Sequence, residues 1–425
     1  MLTPLVATCV AFVLICGGAL AGDVPPGFPG KVELTCVDSE ATAYATFQSH
    51  NQKVIANKHG IFMTHIRARN EPYTAQTWRL SRSTDGGKSF ATIFEDTHAT
   101  NPPVLETDEV GNVYLARPDF QDGNAYLYRF LAEKDFRDPI VTAIPGAAAG
   151  KYAMAYDAER KRLYFFAHNN TFHIIGLDGK VLRSRQLLAE GQSAVLQYPL
   201  LNLDTDGTLH AAWTTQKHGV YLYWDIHHML SRDGGETWQN MDGTPLGIPL
   251  DADQTGPSLR ITLDDEFECH TWLSSFLAKD GKLHFLYLAQ SKPQRQHYVR
   301  YDIATGKREL DIQPLFSGKD ISLSGLDGFF ASRAGEPKSP LYCVMQDVGR
   351  IACLASSDNG STWVDYARTE EKFGAYSIGG CREVTDDGYV IGSFTDQKSS
   401  PASLVRDSKV YFLKIKTTRV RAQDK

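Results

Sequence analysis

Hydrophobic and polar residues alternate along most of this chain, in short runs that end at polar turns. The clearest pair spans residues 200–213, where Asp204-Thr-Asp-Gly207 separates LLNL from TLHAAW. Alternating runs rich in Tyr, Phe and Trp predict β-strands, and Asp and Gly between them predict tight turns. Helical periodicity is nearly missing from the pattern. The chain is therefore predicted to be all-β and to form a single structural domain.

The same pattern recurs at intervals of roughly fifty residues, the spacing of four-stranded propeller blades. A strand pair around a polar turn opens each unit, at 54–65, 104–116, 154–167, 200–213, 276–288, 328–345 and 383–394. Two further strands follow each pair except the last, which has only KVYFLKIK at 409–416. KVELTCV at 31–37 supplies the missing strand, because an unpaired sheet edge would otherwise remain. The pattern predicts a single β-propeller of seven blades, with six as the alternative, closed by the N-terminal strand.

A polar phrase that closes on an aromatic residue occurs three times. It reads STDGGKSF at 83–90, SRDGGETW at 231–238 and SSDNGSTW at 356–363. The Asp side chain can accept backbone N–H groups within such a turn, and Gly supplies the positive φ that the turn needs. We expect the terminal Phe or Trp to pack against its own sheet. The phrase resembles the Asp-box, or BNR repeat, of sialidases and related β-propellers.

Composition and the N-terminus indicate where the protein works. The 425 residues carry a net charge of −6, which argues against a nucleic-acid partner. An apolar stretch at 5–16 precedes Ala19-Leu-Ala21, a small-x-small cleavage site. We therefore expect a signal peptide at 1–21, an N-terminal segment with the closing strand at 22–48, the propeller at 49–418 and a tail at 419–425. The mature protein is expected to be secreted, periplasmic or extracellular, without a membrane anchor.

Cysteine and histidine spacing gives no metal motif. Two of the seven cysteines lie in the signal segment, which leaves Cys36, Cys269, Cys343, Cys353 and Cys381. Cys343 and Cys353 lie on adjacent strands and either face each other across a hairpin or are buried separately. No C-x-x-C pair is present, so a cysteine zinc site is not predicted. No cofactor is identified, a bound ion remains open, and His227-His228 is interpreted as structural.

Loops that enter first strands and loops that leave second strands share one end of an up-and-down propeller. We call this end the rim. The loops into first strands carry His50, Asn51, His98, Asn101, Tyr198, His270, Trp272 and Tyr376. The loops out of second strands carry Arg67, Arg69, Arg117, His168, Lys217 and His218. Aromatic surfaces, amide and cationic donors and titratable pairs are typical of a carbohydrate site, although any one of them can be an ordinary solvated loop residue.

Two enzyme families resemble parts of this pattern. Similar elements in the BNR-repeat propellers that include ulvan lyases correspond to His98 with Asn101, to YFFAHNN with His168 and to QYPLLNL with Tyr198. That resemblance implies β-elimination from a uronate polysaccharide, with His168 and Tyr198 as acid and base. Arg67 or Lys217 would then neutralise the carboxylate. Asp96-Thr97 stands where that group has two Asp residues, and an extra blade separates the elements.

Sialidases are the second family. HIRARNEPYTAQTWRLSRSTDGG is similar to a sialidase first blade, with Arg67 or Arg69 as a first arginine, and AYSIGGC is similar to the segment around the nucleophile, here Tyr376. The F-R-I-P element is missing, and a second and third arginine cannot be assigned. A propeller that only binds glycans or proteins is the third possibility. The preferred hypothesis is a monomeric enzyme that acts on an anionic polysaccharide.

Overall fold

A computed structural model describes residues 30–70, 73–262, 270–289, 295–312, 315–316, 319–320, 328–400 and 403–417. Within these ranges the only helical elements are two 3-10 turns, Tyr73–Ala75 and Ala132–Lys134. The expected signal peptide, the C-terminal tail and Cys269 lie outside the described residues. The described chain is all-β, as the alternating pattern predicts, and consists mainly of four-stranded antiparallel sheets.

The first three sheets follow one another along the chain. Sheet A contains β2 (Val54–Asn57), β3 (Gly60–Ala68), β4 (Gln76–Ser83) and β5 (Ala91–Ala99). Sheet B contains β6 (Val104–Thr107), β7 (Val113–Asp119), β8 (Asn124–Phe130) and β9 (Ile140–Ile144). Sheet C contains β10 (Tyr152–Asp157), β11 (Arg162–Ala167), β12 (Thr171–Gly176) and β13 (Val181–Gln186). Each is antiparallel, with strands in sequence order, because the tight turns permit only neighbouring strands to pair.

Two further sheets continue the series. Sheet D contains β15 (Ala194–Leu203), β16 (Leu209–Lys217), β17 (Tyr223–Ser231), β18 (Trp238–Gln239) and β19 (Pro245–Leu246). Sheet E contains β21 (Thr271–Lys279), β22 (Lys282–Ala289), β23 (Arg295–Asp302) and β24 (Lys307–Ile312). Two small pairs stand apart, β14 (Leu188–Ala189) with β20 (Leu250–Asp251), and β25 (Leu315–Phe316) with β26 (Lys319–Asp320).

The last sheet, sheet F, has eight strands and contains both ends of the described chain. One half has β27 (Phe329–Ala331), β28 (Leu341–Asp347), β29 (Arg350–Ser356) and β30 (Val364–Arg368). The other half has β31 (Ala375–Gly380), β32 (Tyr389–Asp396), β33 (Ser408–Lys416) and β1 (Gly30–Ala41). β1 runs antiparallel to β33 and also meets β30 in parallel at Gly30 and Lys31. The N-terminal strand thus covers the edge of the last strand of the chain, as the sequence predicts.

Neighbouring sheets pack through their first strands. β2 contacts β6, β6 contacts β10, β10 contacts β15, β15 contacts β21, β21 contacts β27 and β27 contacts β31. β32 then returns to β2, so the series closes on itself. Large apolar side chains fill the spaces between sheets, and Trp78, Trp213 and Trp238 are almost completely buried. Burying such rings contributes much of the stabilising free energy of the fold.

The three Asp-boxes have the same hydrogen-bond pattern. In the second copy, the Ser231 hydroxyl donates to Asp233 at 2.8 Å and accepts from the Gly235 N–H at 2.7 Å. Asp233 also accepts the Thr237 N–H at 2.9 Å and the Thr237 hydroxyl at 2.6 Å. Equivalent bonds occur in the copies at 83–90 and 356–363. The expectation of a self-contained polar turn is confirmed.

The aromatic residue of each Asp-box packs in the interface between two sheets. Trp238 meets Phe172 of sheet C, with ring centroids 5.6 Å apart, and belongs to an apolar cluster that also contains Met229 of its own sheet D. Phe90 likewise meets Phe412 at 5.1 Å, and Trp363 meets Tyr298 at 5.1 Å. Both partners belong to the preceding sheet, whereas Phe330, 6.4 Å from Trp363, belongs to the same sheet F. Each ring therefore packs against its own sheet, as expected, and also against the preceding sheet, which the sequence did not predict.

The side chains of Cys343 and Cys353 do not face each other. In the β28–β29 register Cys343 lies opposite Leu354 and Cys353 lies opposite Val344. Since successive residues of a strand point to opposite faces, the two thiols lie in different apolar clusters. Both cysteines are buried and free. His227 and His228 are also buried, with His227 stacked on Trp213 and His228 bonded to a neighbouring histidine.

One arginine spans the centre of the sheet assembly. Arg382, which follows β31, donates from Nη1 to the Leu201 carbonyl of sheet D at 2.9 Å. Its Nη2 donates to the buried Glu106 of sheet B, and its backbone N–H donates to Gln52, between sheets A and F, at 3.2 Å. Arg382 and Gln52 line both a small cavity of about 20 Å³ that also contains His50 and a cavity of about 940 Å³. The larger cavity opens among the turns between first and second strands.

Candidate functional site

Rim residues from several sheets form one contiguous group of side chains. We call it the rim cluster, defined by six residues: His50, Lys151, His168, Gln197, Tyr198 and Tyr223. Lys151 immediately precedes β10, His168 immediately follows β11, and Gln197 and Tyr198 belong to β15. First strands begin and second strands end at the same end of the sheets, which explains why these positions meet.

A backbone irregularity aims Tyr198 into the cluster. β15 carries one extra residue between Gln197 and Leu200 relative to its partner β16. Tyr198 lies in this bulge with φ 43°, a left-handed conformation that is strained for a tyrosine. A similar bulge follows Tyr376 in β31, where Ser377 has φ 52°. Such strain persists only where surrounding packing imposes it, and it is frequent at functional sites.

Lys151 is the cation of the rim cluster. Its Nζ lies 4.4 Å from the centroid of the Tyr198 ring and 5.4 Å from that of Tyr223, and it donates to Gln197 Oε1. Among the residues that the structure describes, no carboxylate lies within 4.0 Å of Nζ. Burial lowers the pKa of Lys151 to about 8, because desolvation disfavours the ammonium. The arrangement leaves a largely desolvated positive charge that an anionic ligand would stabilise.

The two histidines of the rim cluster are neutral at pH 7. Burial and the nearby Lys151 charge lower the pKa of His168 to about 4. The same causes, together with Lys53, hold the pKa of His50 well below its usual value. His168 Nε2 lies 3.4 Å from Gln197 Nε2, whereas His168 Nδ1 and His50 Nε2 are buried with no hydrogen-bond partner in the described structure. A neutral imidazole can accept a proton from a substrate.

Tyr198 remains a protonated phenol over the physiological pH range. It is only 4% exposed, and burial together with its tyrosine neighbours raises its pKa well above 10. Its hydroxyl donates to the Tyr223 hydroxyl at 3.2 Å, and a further tyrosine, Tyr221, lies 3.2 Å beyond. Tyr221 is 70% exposed. The three hydroxyl groups form a chain that leads from the buried Tyr198 to solvent.

Aromatic rings extend the rim cluster in two groups. Phe47 stacks on Tyr376 with centroids 6.2 Å apart and lies 4.3 Å from Tyr44. His270 stacks on Trp272 at 5.0 Å, and both rings contact Tyr223, at 6.0 and 5.6 Å. The centroid of the Phe47 ring also lies 6.4 Å from that of the Tyr198 ring. Flat apolar rings beside polar donors are suited to hold sugar rings, whose C–H faces are apolar.

The sequence-predicted site residues divide into two sets. Those that join the rim cluster or its aromatic extensions are His50, His168, Tyr198, His270, Trp272 and Tyr376. Two amides stand beside it: Asn51, which donates to Gln48 at 3.2 Å, and Asn101, which donates to the Gly150 carbonyl. Both amides are buried. The second set makes contacts elsewhere.

The basic residues of the second set have partners within the protein. Arg67 pairs with Asp38 at 2.8 Å and with Glu40 at 2.7 Å. Arg117 donates to Asp119 at 3.1 Å and to the His98 carbonyl at 3.1 Å, and the His98 ring lies 3.4 Å from Asp119.

The remaining three residues of this set lie at loop positions. Lys217 lies over the Trp224 ring at 4.7 Å, and His218 contacts the Gly191 carbonyl at 2.8 Å. Arg69 is half-buried just beyond β3. None of these contacts brings the residues into the rim cluster.

Sequence reasoning gave no role in the site to Lys151, Gln197, Tyr223 or Phe47. Lys151 immediately precedes the first strand β10 and Gln197 lies within the first strand β15, so their position was a usable signal. Tyr223 begins the third strand β17, which starts at the end where the second strand β16 stops, so strand order places it at the rim as well. Phe47 precedes the first unit and reaches the cluster only because β1 is anchored to the last strands.

The described residues contain no group of three or more His, Cys, Asp or Glu side chains that could hold a metal ion. Over the same residues, no helix has the length and apolarity needed to cross a membrane.

Comparisons with known proteins agree with the Asp-boxes and the sheets. A family model described as a BNR repeat-containing family member matches residues 150–306. The structure of an ulvan lyase of polysaccharide lyase family PL25 is similar to this one, with a TM-score of 0.59. The aligned regions are 12% identical in sequence and cover 92% of this chain and 95% of the lyase chain. A PL25 ulvan lyase structure bound to -[GlcA(1-4)Rha3S]- gives the same values.

A further lyase structure is also similar. Polysaccharide lyase Uly1 is 10% identical over 91% of this chain and 99% of its own, with a TM-score of 0.58. Identities this low indicate a shared fold and nothing finer. No curated protein sequence is significantly similar to the chain. Residues 150–306 thus match the BNR repeat-containing family, and the chain has a fold similar to that of the ulvan lyases.

Proposed function

We propose that this protein is a carbohydrate-active propeller that cleaves a uronate-containing polysaccharide by β-elimination at the rim cluster. The observation that carries the proposal is the ammonium of Lys151, which lies beside His168 and Tyr198 without a carboxylate partner among the described residues. A largely desolvated cation of this kind is stabilised by an anion from outside the protein. The similarity in fold to ulvan lyases supports the same class of substrate.

In the proposed reaction Lys151 pairs with the uronate carboxylate. This neutralises the negative charge and makes the C5 proton more acidic. His168 Nε2 accepts that proton, and a bound carboxylate nearby raises the pKa of His168 from its low value toward neutrality. The Tyr198 phenol gives its proton to the leaving oxygen on C4. The C5–H and C4–O bonds break and a C4=C5 double bond forms. After the product leaves, Tyr198 regains a proton from solvent through Tyr223 and Tyr221, and His168 releases its proton to solvent.

Lys151 replaces Arg67 and Lys217 as the proposed carboxylate-binding residue. Arg67 is held by Asp38 and Glu40, and Lys217 lies over the Trp224 ring. The same engagement of Arg67 disfavours the sialidase hypothesis, which requires a free arginine for the carboxylate of sialic acid. The two aromatic groups around Phe47 and Trp272 would bind sugar rings on either side of the cleaved linkage.

We further propose that the sheets form seven blades of one propeller. Sheets A to E each supply one blade, and sheet F supplies two because the only strand ladder that joins its described halves is the short parallel pairing of β1 with β30. Export by the predicted signal peptide would bring the enzyme to polysaccharides outside the cytoplasm.

The test is an ultraviolet assay of the purified chain from Gly22 onward with a panel of uronate polysaccharides, ulvan oligosaccharides among them. Absorbance that rises with time reports the new C4=C5 double bond and supports the lyase. Binding by calorimetry without any rise in absorbance would instead identify a non-catalytic glycan-binding propeller. Cleavage of a fluorogenic sialoside would overturn the proposal in favour of a glycosidase.

A further inference from the structure

Gln197 lies between the cation and the imidazole of the rim cluster. Its Oε1 accepts a hydrogen bond from Lys151 Nζ, and its Nε2 lies 3.4 Å from His168 Nε2. The residue is only 6% exposed, and its backbone is fixed by pairing with Thr214 on β16, next to the bulge that holds Tyr198. A single amide therefore contacts two of the groups that the proposed reaction uses.

The chemistry of these neighbours determines how the amide is oriented. A lysine ammonium has three donors and no acceptor, so the carbonyl oxygen of Gln197 must face Lys151. The NH₂ group then faces His168 and can only donate. His168 Nε2 must accept that bond with its lone pair, and the proton of the neutral ring consequently lies on Nδ1. The opposite tautomer would bring two N–H groups together.

We propose that Gln197 is a positioning residue that links Lys151 to His168 and holds the His168 ring as the Nδ1–H tautomer. The lone pair is thereby kept on Nε2, the nitrogen that faces the cluster. Under the proposed function, on which this role rests, Nε2 is the atom that accepts the C5 proton. His168 Nδ1 is buried and has no hydrogen-bond partner in the described structure, so no other group there selects the tautomer.

The tautomer can be measured without any substrate. Selective ¹⁵N-histidine labelling and long-range ¹H–¹⁵N correlation spectra distinguish the two neutral forms, with His168→Gln to assign the signal. We expect the Nδ1–H form in the ligand-free protein. We expect Gln197→Glu to invert it, since a carboxylate can accept from Lys151 but cannot donate to His168 Nε2. Gln197→Met should give a mixture, and Gln186→Met, on the exposed end of β13, should change nothing.

Activity provides the second readout. Gln197→Glu should lower kcat about 100-fold, the scale of general base catalysis, while the circular dichroism spectrum stays that of the folded protein. An Nε2–H form in the unaltered protein, or the same tautomer in Gln197→Glu, would overturn the proposal. Because the spectra need no turnover, a protein without lyase activity that shows the expected tautomers contradicts the proposed function and supports the positioning role.

Discussion

At the scale of single residues, the rim cluster is organised by the charge of Lys151. The ammonium is surrounded by two aromatic faces and an amide oxygen, which stabilise a cation less than a carboxylate does. Burial therefore lowers its pKa, and its charge lowers the pKa of both His168 and His50. A bound anionic substrate would stabilise the Lys151 ammonium and would raise the lowered pKa values of Lys151, His168 and His50. Binding and catalysis should therefore depend strongly on the Lys151 side chain.

Replacing Lys151 by Gln should reduce kcat/KM about 10- to 100-fold, corresponding to the roughly 1.5–3 kcal/mol of a hydrogen bond to a charged group. The folded structure should be retained, because an unpaired buried charge is removed rather than created. Initial rates on the responsive polysaccharide measure the effect. Lys180→Gln, in the exposed turn between β12 and β13, is the matched control and should keep the activity of the unaltered protein. Equal rates for the two variants would contradict the role of Lys151.

Binding of an anionic oligosaccharide should weaken as the pH rises through about 8. Below that pH Lys151 carries its charge, and above it the neutral amine predominates, so affinity should fall about tenfold per pH unit. Calorimetric titration at constant ionic strength measures this dependence between about pH 6 and 10, roughly the range over which a lysine with this pKa changes its charge. The dependence should disappear in Lys151→Gln. A flat profile in the unaltered protein would show that another group binds the anion.

At the scale of elements, each Asp-box joins its own sheet to the preceding one. Gly235 has φ 90°, and a methyl group added there would meet the Phe172 ring at 2.8 Å. Gly87 and Gly360 occupy the same place against Phe412 and Tyr298. Glycine is needed at this position for two separate reasons, the backbone conformation and the close approach of the neighbouring sheet. The two reasons can be separated by experiment.

Gly235→Ala should lower the free energy of unfolding by about 1–3 kcal/mol more than Gly243→Ala, because only the first adds overpacking to backbone strain. Gly243 has φ 88° and nothing within 4 Å of the added methyl group, so it isolates the conformational cost. Urea denaturation followed by tryptophan fluorescence measures both. Equal losses of unfolding free energy in the two variants would mean that the added methyl group at Gly235 is accommodated by the interface without overpacking.

At the scale of the whole molecule, β1 is held by ion pairs as well as by strand pairing. Asp38 lies on β1 and accepts bonds from His65 at 3.1 Å, Arg67 at 2.8 Å and Arg79 at 3.1 Å, all on sheet A. Burial raises the pKa of Asp38, but the contacts with His65, the Glu40 backbone N–H and Arg67 outweigh it and hold the pKa well below its usual value. The closing strand is thus tied both to the last strands of the chain and to the first sheet.

Asp38→Ala should lower the free energy of unfolding by about 1.5–3 kcal/mol, since it removes the buried carboxylate that His65, Arg67 and Arg79 share. Glu95→Ala is the control, because Glu95 binds Arg79 from the exposed side, where an ion pair contributes at most about 1 kcal/mol. Thermal unfolding of the two variants makes the comparison. Similar melting temperatures would show that strand pairing alone holds β1.

The strands, the repeating units, the Asp-boxes and the pairing of the N-terminal strand with the last could all be predicted from the sequence. These features follow from local patterns, namely alternation, turn residues and an unpaired edge. The sequence also indicated which loops share the rim, because strand order alone assigns each loop to an end. His168 and Tyr198 were predicted on that basis, and their assigned roles stay predictions.

Which rim residues meet, and how strongly their charged groups are desolvated, depends on the packing of the sheets in three dimensions. The left-handed bulge at Tyr198, the lysine without a carboxylate and the amide between Lys151 and His168 depend on sheets distant in sequence. The pairing of Arg67 with Asp38 and the packing of Trp238 on Phe172 have the same origin. Contacts between sheets are set by side-chain volume and burial in three dimensions. The alternation of hydrophobic and polar residues along the chain does not specify which sheets face each other or which side chains meet between them.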